Sequence, residues 1–332
     1  MASASDPDPV DNMDPLSRKI WRTYGSTAQS KGLLRRKMRL HGYLRAVIRK
    51  TFPMSDLYIM GSSLTGFGGR SSDMDLCLMM TPNAVDRSDT IDFLDYVKKC
   101  LRETGIISRE GIILIHARVP ILKISFKQPF SDITVDLNVN NDVGIKNTNL
   151  MCCYSALDWR VRPLVSVVKS WANSRGMNNA SKSTFTSYSL VLMVIHYLQC
   201  GLTRPVLPAL QNPRPDSEEF DKSTSLSDLL LGLLKYYAYE FNYDHDAISV
   251  RLGVRTNREF VARNSAPQTL SQWRCICIEE PFTLSNTAHS IYDEIIFEAV
   301  VEAFRTGYEE LNKNRDLDAF MKQPPIKICY SH

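Results

Sequence analysis

The spacing of hydrophobic residues predicts two helices at the start of the chain. One begins at Asp14-Pro15, because Asp can cap a first turn and Pro fits within it. In residues 30–50, apolar side chains recur every three or four positions, as on one buried face of a helix. The opposite face is basic, and it could either contact phosphates or simply be solvated. Its residues are Arg35, Arg36, Lys37, Arg39, Arg45, Arg49 and Lys50.

Beyond these helices the spacing changes to short strand-like runs. Strands are predicted at residues 57–60, 75–80, 120–126 and 133–139, with a helix at 84–104. The later part of the chain is mostly helical, with helices predicted at 157–174, 187–200, 226–241 and 290–311. A strand at 273–279 and a loop at 281–287 complete the pattern. The predicted fold class is therefore α+β, with a mixed sheet unit followed by a mainly helical unit.

This pattern predicts how the 332 residues are organised into domains. Residues 1–13 are expected to be a disordered tail, and 14–40 an N-terminal helix that packs on the central domain. Residues 41–150 form the predicted sheet domain, and 151–332 the central helical domain. Within the latter, residues 203–225 combine four prolines with Asp, Glu and Ser, which predicts an exposed loop without chemistry.

Composition narrows the class of protein. Hydrophobic residues make up 44% and charged residues 23%, as in globular proteins with a buried core, which excludes wholesale disorder. The net charge is only +4, so binding of a polyanion must rely on local patches. Most of the eight cysteines lie in apolar stretches, which indicates reduced intracellular thiols and no disulfide-linked partner. The chain opens without a secretory signal, and its longest apolar run, 188–198, is shorter than the roughly 20 residues that span a bilayer.

Three acidic residues on predicted strands suggest a metal site. Asp73 and Asp75 enter an apolar strand and are expected to project from one face of it, because alternate strand residues share a face. Asp136 lies on the polar side of the strand at 133–139. Carboxylates that meet repel one another unless cations neutralise them, and hard oxygen ligands suit Mg²⁺. A site for two Mg²⁺ ions, with Mn²⁺ as a substitute, is therefore predicted.

A Gly-Ser turn precedes the first two aspartates. Gly61 and Ser62 are small enough to let backbone N–H groups approach a triphosphate, as in phosphate-binding nests. Taken alone, such a turn is usually only a turn, and an Asp-x-Asp is more often a solvated strand edge than a metal site. Their order along the chain, each beside an apolar strand, favours a combined phosphate and metal site.

Six segments carry a resemblance to known proteins. They are IMGSSL (59–64), SSDMDLCL (71–78), VDLNVNN (135–141), RPLV (162–165), TSYSLVLM (186–193) and EEPF (279–282). With them the chain resembles the nucleotidyltransferase superfamily, whose pattern is Gly-Ser, a spacer, Asp-x-Asp and a later single Asp. Within it, the chain is most similar to the terminal nucleotidyltransferases that add tails to RNA, especially germline-type cytoplasmic poly(A) polymerases. The resemblance covers most of the chain.

The resemblance implies a fold and the location of an active site. Residues 41–150 would be a nucleotidyltransferase catalytic domain, a mixed sheet with flanking helices, with a nucleotide cleft between it and the central domain. Asp73, Asp75 and Asp136 would hold the metal ions. The Gly61-Ser62 turn would hold the β- and γ-phosphates.

The resemblance also implies five further nucleotide contacts. Asn147 would bond the ribose 2′-hydroxyl, and Lys169 and Ser187 would contact the triphosphate. Tyr188 would stack on the base, and Glu280 would belong to the nucleotide-recognition loop. Without the resemblance, an exposed helix lysine and a core tyrosine would be the expected interpretations of Lys169 and Tyr188.

Two departures from the uridylyltransferase relatives favour ATP as the donor. Those relatives place a histidine in the loop after Glu-Asp-Pro-Phe, whereas residues 281–287 contain none and His289 is out of register. They also carry a second phosphate lysine, where this chain has Asn173. The predicted function is template-independent addition of AMP to RNA 3′ ends in the cytoplasm by a two-metal mechanism. Uridylyl transfer and a catalytically silent scaffold that binds RNA or a partner are the alternatives.

The sequence contains no recognisable RNA-binding module. It has no zinc-knuckle pattern, no Gly-x-x-Gly loop in a KH-like context and no RNP-type aromatic strand. With a net charge of +4, the chain alone is expected to bind RNA weakly. An RNA-binding partner protein that delivers the RNA 3′ end is therefore predicted, as the resemblance also implies.

Overall fold

The computed structural model describes residues 12–80, 87–116, 119–213 and 219–328. The chain divides into two compact units, which we call the sheet unit (Thr27–Ser155) and the helical unit (Met1–Ser26 with Ala156–His332). The later boundary lies close to the one expected from the sequence. Most of the predicted tail, residues 1–11, lies outside the described residues.

The helices and strands are as follows in chain order. They are α1 (Pro15–Thr27), α2 (Lys31–Thr51), β1 (Asp56–Met60), α3 (Ser62–Thr65), β2 (Met74–Met79), α4 (Arg87–Arg102), β3 (Ile107–Ile115), β4 (Ile121–Phe126), β5 (Thr134–Val139), α5 (Asp142–Leu157), α6 (Val161–Ser174), α7 (Ser187–Cys200), α8 (Leu226–Lys235), β6 (Asp246–Ser249), β7 (Val254–Asn257), α9 (Arg258–Asn264), α10 (Glu294–Asn314) and α11 (Leu317–Met321).

A mixed five-stranded sheet forms the core of the sheet unit. Its strand order is β1-β2-β5-β4-β3, and only β2 and β5 pair in parallel. Leu76 and Leu78 of β2 and Val135 and Leu137 of β5 are almost fully buried, in one cluster with residues of α2 and α4. Because β2 and β5 run in the same direction, the polar residues where they begin lie at the same edge of the sheet. The predicted α+β class is confirmed.

The four strands predicted for the sheet unit are confirmed, and one strand was not predicted. β3 contains Arg109, Glu110 and Gly111 between its apolar ends, so it lacks the regular alternation that marks a strand. Its pairing with β4 shifts register between Ile107 and Ile112. Such an irregularity inserts residues that break the two-residue period, which explains why the pattern gave no signal there.

Helices α6, α7, α8 and α10 build most of the helical unit and confirm the predicted ones. Eleven of the 14 residues of α7 are buried, so it is the central helix of this unit. The helix predicted at 226–241 is shorter than expected, because α8 ends at Lys235 and a π-helical turn, Tyr236–Glu240, follows. Within the residues that the structure describes, no helix is both long and apolar enough to cross a membrane.

The strand predicted at 273–279 is wrong. Only isolated bridges, Ile248 with Ile278 and Glu279 with Asn286, occur there. The buried Asn286 side chain forms the hydrogen bonds that a neighbouring strand would otherwise provide. Its Nδ2 donates to the carbonyl of Ile276 at 2.8 Å, and its Oδ1 accepts from the N–H of Ile278 at 3.0 Å. A side chain that satisfies the backbone in this way cannot be detected from apolar spacing.

The Pro-rich segment 203–225 contains no helix or strand in its described parts, as predicted, but it is not uniformly exposed. Val206 and Leu207 are buried, and so is Asp221. The Arg160 guanidinium donates to the backbone carbonyl of Asp221 at 2.6 Å and pairs with its carboxylate at 3.5 Å. This buried arginine also pairs with Asp158 at 2.9 Å, so the loop is fastened to the start of α6.

The predicted N-terminal segment 14–40 is divided between the two units. Asp14 caps α1 as expected, and its carboxylate also accepts from the Ser227 hydroxyl at 3.0 Å within the helical unit. Helix α2 belongs to the sheet unit and begins at the capping residue Ser30. The assignment of Lys37 to the exposed basic face is wrong, because this side chain is only 1% exposed.

We expect Arg160→Met to lower the free energy of unfolding by about 3–5 kcal/mol, because Asp158 and Asp221 lose their buried counter-charge and only the exposed Lys222 remains, 3.7 Å from Asp158. Arg263→Met is the matched control, since it breaks an exposed pair with Glu259 that contributes about 0.3–0.5 kcal/mol. Denaturant unfolding of both variants measures the difference. Equal losses would contradict a structural role for Arg160.

Candidate active site

The parallel pairing of β2 and β5 brings the three predicted aspartates together. Asp75 and Asp136 are register partners on the two strands, and Asp73 directly precedes β2. A lysine on the neighbouring strand β4 lies between two of them. The Lys123 ammonium is 3.0 Å from Oδ2 of Asp73 and 3.4 Å from Oδ1 of Asp136. The cluster therefore combines three carboxylates with one direct counter-charge.

The cluster carries more negative charge than its surroundings favour. Burial, and then the charges on Asp136 and Asp73, raise the pKa of Asp75 to about 6. Burial also raises the pKa of Asp136, although Lys123 acts in the opposite direction. Carboxylates held in this way favour any additional cation that can reach them.

The donor atoms of the cluster fit a hard divalent cation, although they are not arranged as a finished metal site. Among the described residues, no three His, Cys, Asp or Glu side chains are placed to hold one metal ion. Lys123 instead occupies the space between Asp73 and Asp136. The all-oxygen donor set and the raised pKa of Asp75 nevertheless suit Mg²⁺ or Mn²⁺.

Lys123 is a candidate functional residue that the sequence pattern does not single out. It is an isolated lysine on the strand Ile121–Phe126, where a solvated side chain is the ordinary expectation. Its register partner on β5 is Asp136. Only the pairing of the strands shows that the two side chains share one face.

Gly61 is required at its position for a steric reason. Its backbone has a φ of 69°, and a Cβ there would lie 2.3 Å from Oδ2 of Asp75. Its N–H donates to the Thr148 hydroxyl at 2.8 Å. Because this N–H already forms a hydrogen bond within the protein, the expectation from the sequence that it faces a triphosphate is not supported. Ser62, the first residue of α3, is left as the phosphate-binding candidate of the turn.

Asn147 lies beside the threonine that bonds the Gly61 turn. Among the described residues its side-chain oxygen is fully buried and has no hydrogen-bond partner. A buried acceptor without a donor is costly, which makes such a group a candidate for ligand binding. The geometry is consistent with the role that the resemblance implies for Asn147 toward a hydroxyl group.

The helical unit brings Tyr188 and Glu280 together. Tyr188 lies in the first turn of α7, whose N-cap is Thr186, and its hydroxyl is 3.4 Å from Oε1 of Glu280. Burial and the Glu280 carboxylate raise the pKa of this hydroxyl, so it stays protonated. The Glu280 carboxylate also accepts from the backbone N–H groups of Phe282 and Thr283. Glu280 thus holds both the aromatic ring and the loop that follows.

The remaining predicted contacts lie on neighbouring elements of the helical unit. Ser187, at the start of α7, is exposed and donates to the Asn178 side chain at 3.1 Å. Lys169 is half-buried on α6, and Asn173 follows exposed one turn later. His289 lies outside the 281–287 loop and contacts the backbone carbonyl of Asn286 at 2.7 Å. The N-terminus of α7 adds a partial positive charge suited to an anion.

Comparison with known proteins places these residues in a family. Residues 16–156 match the family model described as poly(A) RNA polymerase, mitochondrial-like, central palm domain. Residues 225–286 match the model of the Cid1 family poly A polymerase. A structure of a GLD-2/RNP-8 complex aligns with a TM-score of 0.82 and 47% identity, covering 96% of this chain and 100% of that chain. The chain belongs to the GLD-2 family of poly(A) RNA polymerases.

Two further relatives define the extent of this GLD-2 family match. The Poly(A) RNA polymerase gld-2 of Caenorhabditis elegans is 46% identical over 385 residues, which cover 96% of this chain and 34% of the relative. This chain thus spans about a third of that protein. A structure of Cid1, described by its RNA terminal uridylyl transferase activity, has a TM-score of 0.78 and 26% identity, covering 94% and 99%.

We expect Asp75→Asn to stabilise the protein in metal-free buffer at pH 7.5. The folded-state pKa of about 6 lies above the unfolded value of 3.8, so ionisation of Asp75 opposes folding as the pH rises between these values. The gain should be up to about 3 kcal/mol above pH 6 and should vanish toward pH 4. Denaturant unfolding at several pH values tests this.

The matched control is Asp95→Asn on α4, an exposed carboxylate 3.7 Å from Lys98. Its effect should be small, because exposed pairs contribute about 0–1 kcal/mol. A destabilised Asp75→Asn variant at pH 7.5 would contradict the unfavourable charge of the cluster.

Proposed function

We propose that this chain catalyses the template-independent addition of AMP from ATP to the 3′ end of RNA. The observation that carries the proposal is the clustering of Asp73, Asp75 and Asp136 at one edge of the sheet, in a chain of the GLD-2 family. Carboxylates gathered on paired strands could hold the metal ions of phosphoryl transfer once Lys123 leaves the space between Asp73 and Asp136. We propose a cytoplasmic location, in keeping with the resemblance to cytoplasmic poly(A) polymerases.

The three aspartates would hold two Mg²⁺ ions, with Mn²⁺ as a substitute. When bound, the ions would favour ionisation of the attacking RNA hydroxyl and neutralise charge on the leaving pyrophosphate. The protein's own contribution is to fix the carboxylates on paired strands, so little reorganisation is needed during the reaction. Lys123 would neutralise Asp73 and Asp136 before the reaction. It would release both carboxylates when the metal ions bind.

For the nucleotide we propose the contacts that the resemblance implies, with Gly61 in a structural role. Asn147 would accept from the ribose 2′-hydroxyl, which a deoxynucleotide lacks, once its buried and unpartnered side-chain oxygen is uncovered. Ser62, Lys169 and Ser187 would contact the triphosphate, with Gly61 giving the turn its shape. The ring of Tyr188 would stack on the base.

Glu280 would act on the nucleotide through other residues. Its carboxylate accepts from Tyr188 and from the backbone of Phe282 and Thr283, so it orients the stacking ring and the loop. That loop lacks the histidine of the uridylyltransferases. The higher identity to GLD-2 than to Cid1 also favours ATP over UTP as the donor.

We further propose that an RNA-binding partner protein delivers the RNA. A net charge of +4 supplies little attraction for a polyanion, and tight nucleic-acid binding depends on neutralising several phosphates. The GLD-2 structure with which this chain aligns is described as a complex with RNP-8. A protein partner is therefore consistent with the family.

We expect the wild type to extend an oligo(A) primer with ATP and Mg²⁺, and Asp136→Asn to reduce the rate by at least about 10³-fold, because several kcal/mol of charge stabilisation would be lost. Asp95→Asn is the control and should retain activity. Denaturing gels with each of the four nucleotides provide the measurement. Preference for UTP would favour uridylyl transfer, and no extension by the wild type would favour a silent scaffold.

Tyr188 variants should separate stacking from hydrogen bonding. Tyr188→Ala should raise the KM for ATP about 5- to 150-fold, because base stacking contributes roughly 1–3 kcal/mol. Tyr188→Phe keeps the ring and loses only the bond to Glu280, so its KM should rise less. Tyr239→Ala, at a half-exposed tyrosine of the same unit, is the control. An unchanged KM in Tyr188→Ala would rule out stacking.

A further inference from the structure

Lys37 is a buried lysine of α2 that is surrounded by neutral oxygen atoms. Its ammonium is 2.8 Å from Oε1 of Gln29, 2.9 Å from the Ser63 hydroxyl and 2.7 Å from the carbonyl of Ser72. All three distances are those of hydrogen bonds, and an ammonium has three protons to donate. The side chain therefore uses its full donor capacity inside the sheet unit.

Burial of the Lys37 ammonium does not by itself favour the folded state. Moving an ammonium out of water costs several kcal/mol even after relaxation, and neutral acceptors return only part of that cost. Burial accordingly lowers the pKa of Lys37, although the charges on Asp75 and Asp73 act in the opposite direction. An apolar residue of similar length would fill the same volume without desolvating a charge.

Two of the three acceptors of Lys37 lie on the two ends of the loop between the Gly-Ser turn and the first aspartate. Ser63 belongs to α3, which begins directly after Gly61, and Ser72 directly precedes Asp73. The same two ends are linked by the Ser63 hydroxyl, which donates to the carbonyl of Asp73 at 3.3 Å.

The remaining acceptor extends this network. Gln29 accepts from Lys37 and donates through its Nε2 to the carbonyl of Ser63 at 3.0 Å. Lys37 and Gln29 thus hold α3 through both its backbone and a side chain. Apart from the bond between Lys37 and Gln29, each of these bonds ends on the segment that presents Ser62 or on the segment that presents Asp73.

We propose that Lys37 is a positioning residue for the polymerase reaction, whose ammonium fixes the 62–73 loop so that Ser62 and Asp73 meet the triphosphate together. This inference rests on the proposed function. Lys37 would not touch the nucleotide, and it would act only through Ser63 and Ser72. Its loss should therefore affect the ATP side of the reaction and leave the RNA primer side unchanged.

The test compares Lys37→Met with Lys99→Met, which removes an exposed ammonium from α4 of the same unit. Steady-state kinetics per folded molecule should show a kcat/KM for ATP about 10²-fold lower in Lys37→Met, the loss expected for a displacement of about 1 Å. Both kcat and the KM for ATP should change, with the KM for the primer constant. Simple destabilisation would reduce only the active fraction and leave both KM values unchanged.

A second variant covers the case in which Lys37→Met does not fold. Ser63→Ala removes one acceptor and retains the lysine, and it should raise the KM for ATP several-fold. The double variant should lose less than the sum of the single effects, because residues in one hydrogen-bond network are not additive. Wild-type kinetics in Lys37→Met, or in Ser63→Ala when Lys37→Met is unfolded, would overturn the proposal.

Hydrogen exchange separates this inference from the proposed function. Amides of residues 62–73 should exchange faster in Lys37→Met, or in Ser63→Ala, than in the wild type and in Lys99→Met. If the wild type adds no nucleotide, the proposed function fails, and faster exchange then supports only the structural part of the inference, that Lys37 fixes the 62–73 loop. If the wild type is active and exchange at residues 62–73 is unchanged in the variants, only the Lys37 inference fails.

Discussion

The parallel pairing of β2 with β5 places Asp75 directly beside Asp136, and the rest of the site depends on this contact. Two half-buried carboxylates at one sheet edge repel each other, so the surrounding residues must supply positive charge or the site must bind it. Burial, and then this repulsion, raise the pKa of Asp75. The apolar residues that alternate with the aspartates pack in the core and hold the two strands together. This packing keeps the carboxylates of Asp75 and Asp136 close to each other despite their repulsion.

Two lysines manage this charge in different ways. Lys123 contacts the carboxylates of Asp73 and Asp136 and is partly exposed, so it can exchange partners. Lys37 is buried behind the loop, and its hydrogen bonds go to neutral oxygens. A partly exposed counter-charge such as Lys123 could yield to other cations, whereas the fully bonded ammonium of Lys37 is suited to the positioning role proposed for it. The clustered carboxylates at this edge of the sheet reduce stability, whereas the proposed activity requires them.

In the helical unit, the surrounding residues hold the aromatic ring of Tyr188 in a defined orientation. The ring of Tyr188 follows the cap of α7, and Glu280 fixes its hydroxyl together with the loop of residues 281–287. Behind that loop, the neighbouring Glu279 is fully buried and pairs with Arg251 at 2.7 Å. Adjacent acidic residues thus have distinct structural roles, one in anchoring the chain and one in orienting the candidate base-stacking residue. Membership of the GLD-2 family agrees with this arrangement.

The sequence by itself determined the α+β class, the strands that carry the three aspartates and most of the long helices. Those features depend on local alternation of apolar and polar residues, which the chain displays without reference to distant segments. Only the tertiary structure decided that Lys37 is buried, that Lys123 lies between two carboxylates, that β3 completes the sheet and that Asn286 replaces a strand. Each of these depends on a partner far away in sequence, or on an irregular register or a side chain that bonds the backbone, and hydrophobic periodicity contains no information about such partners.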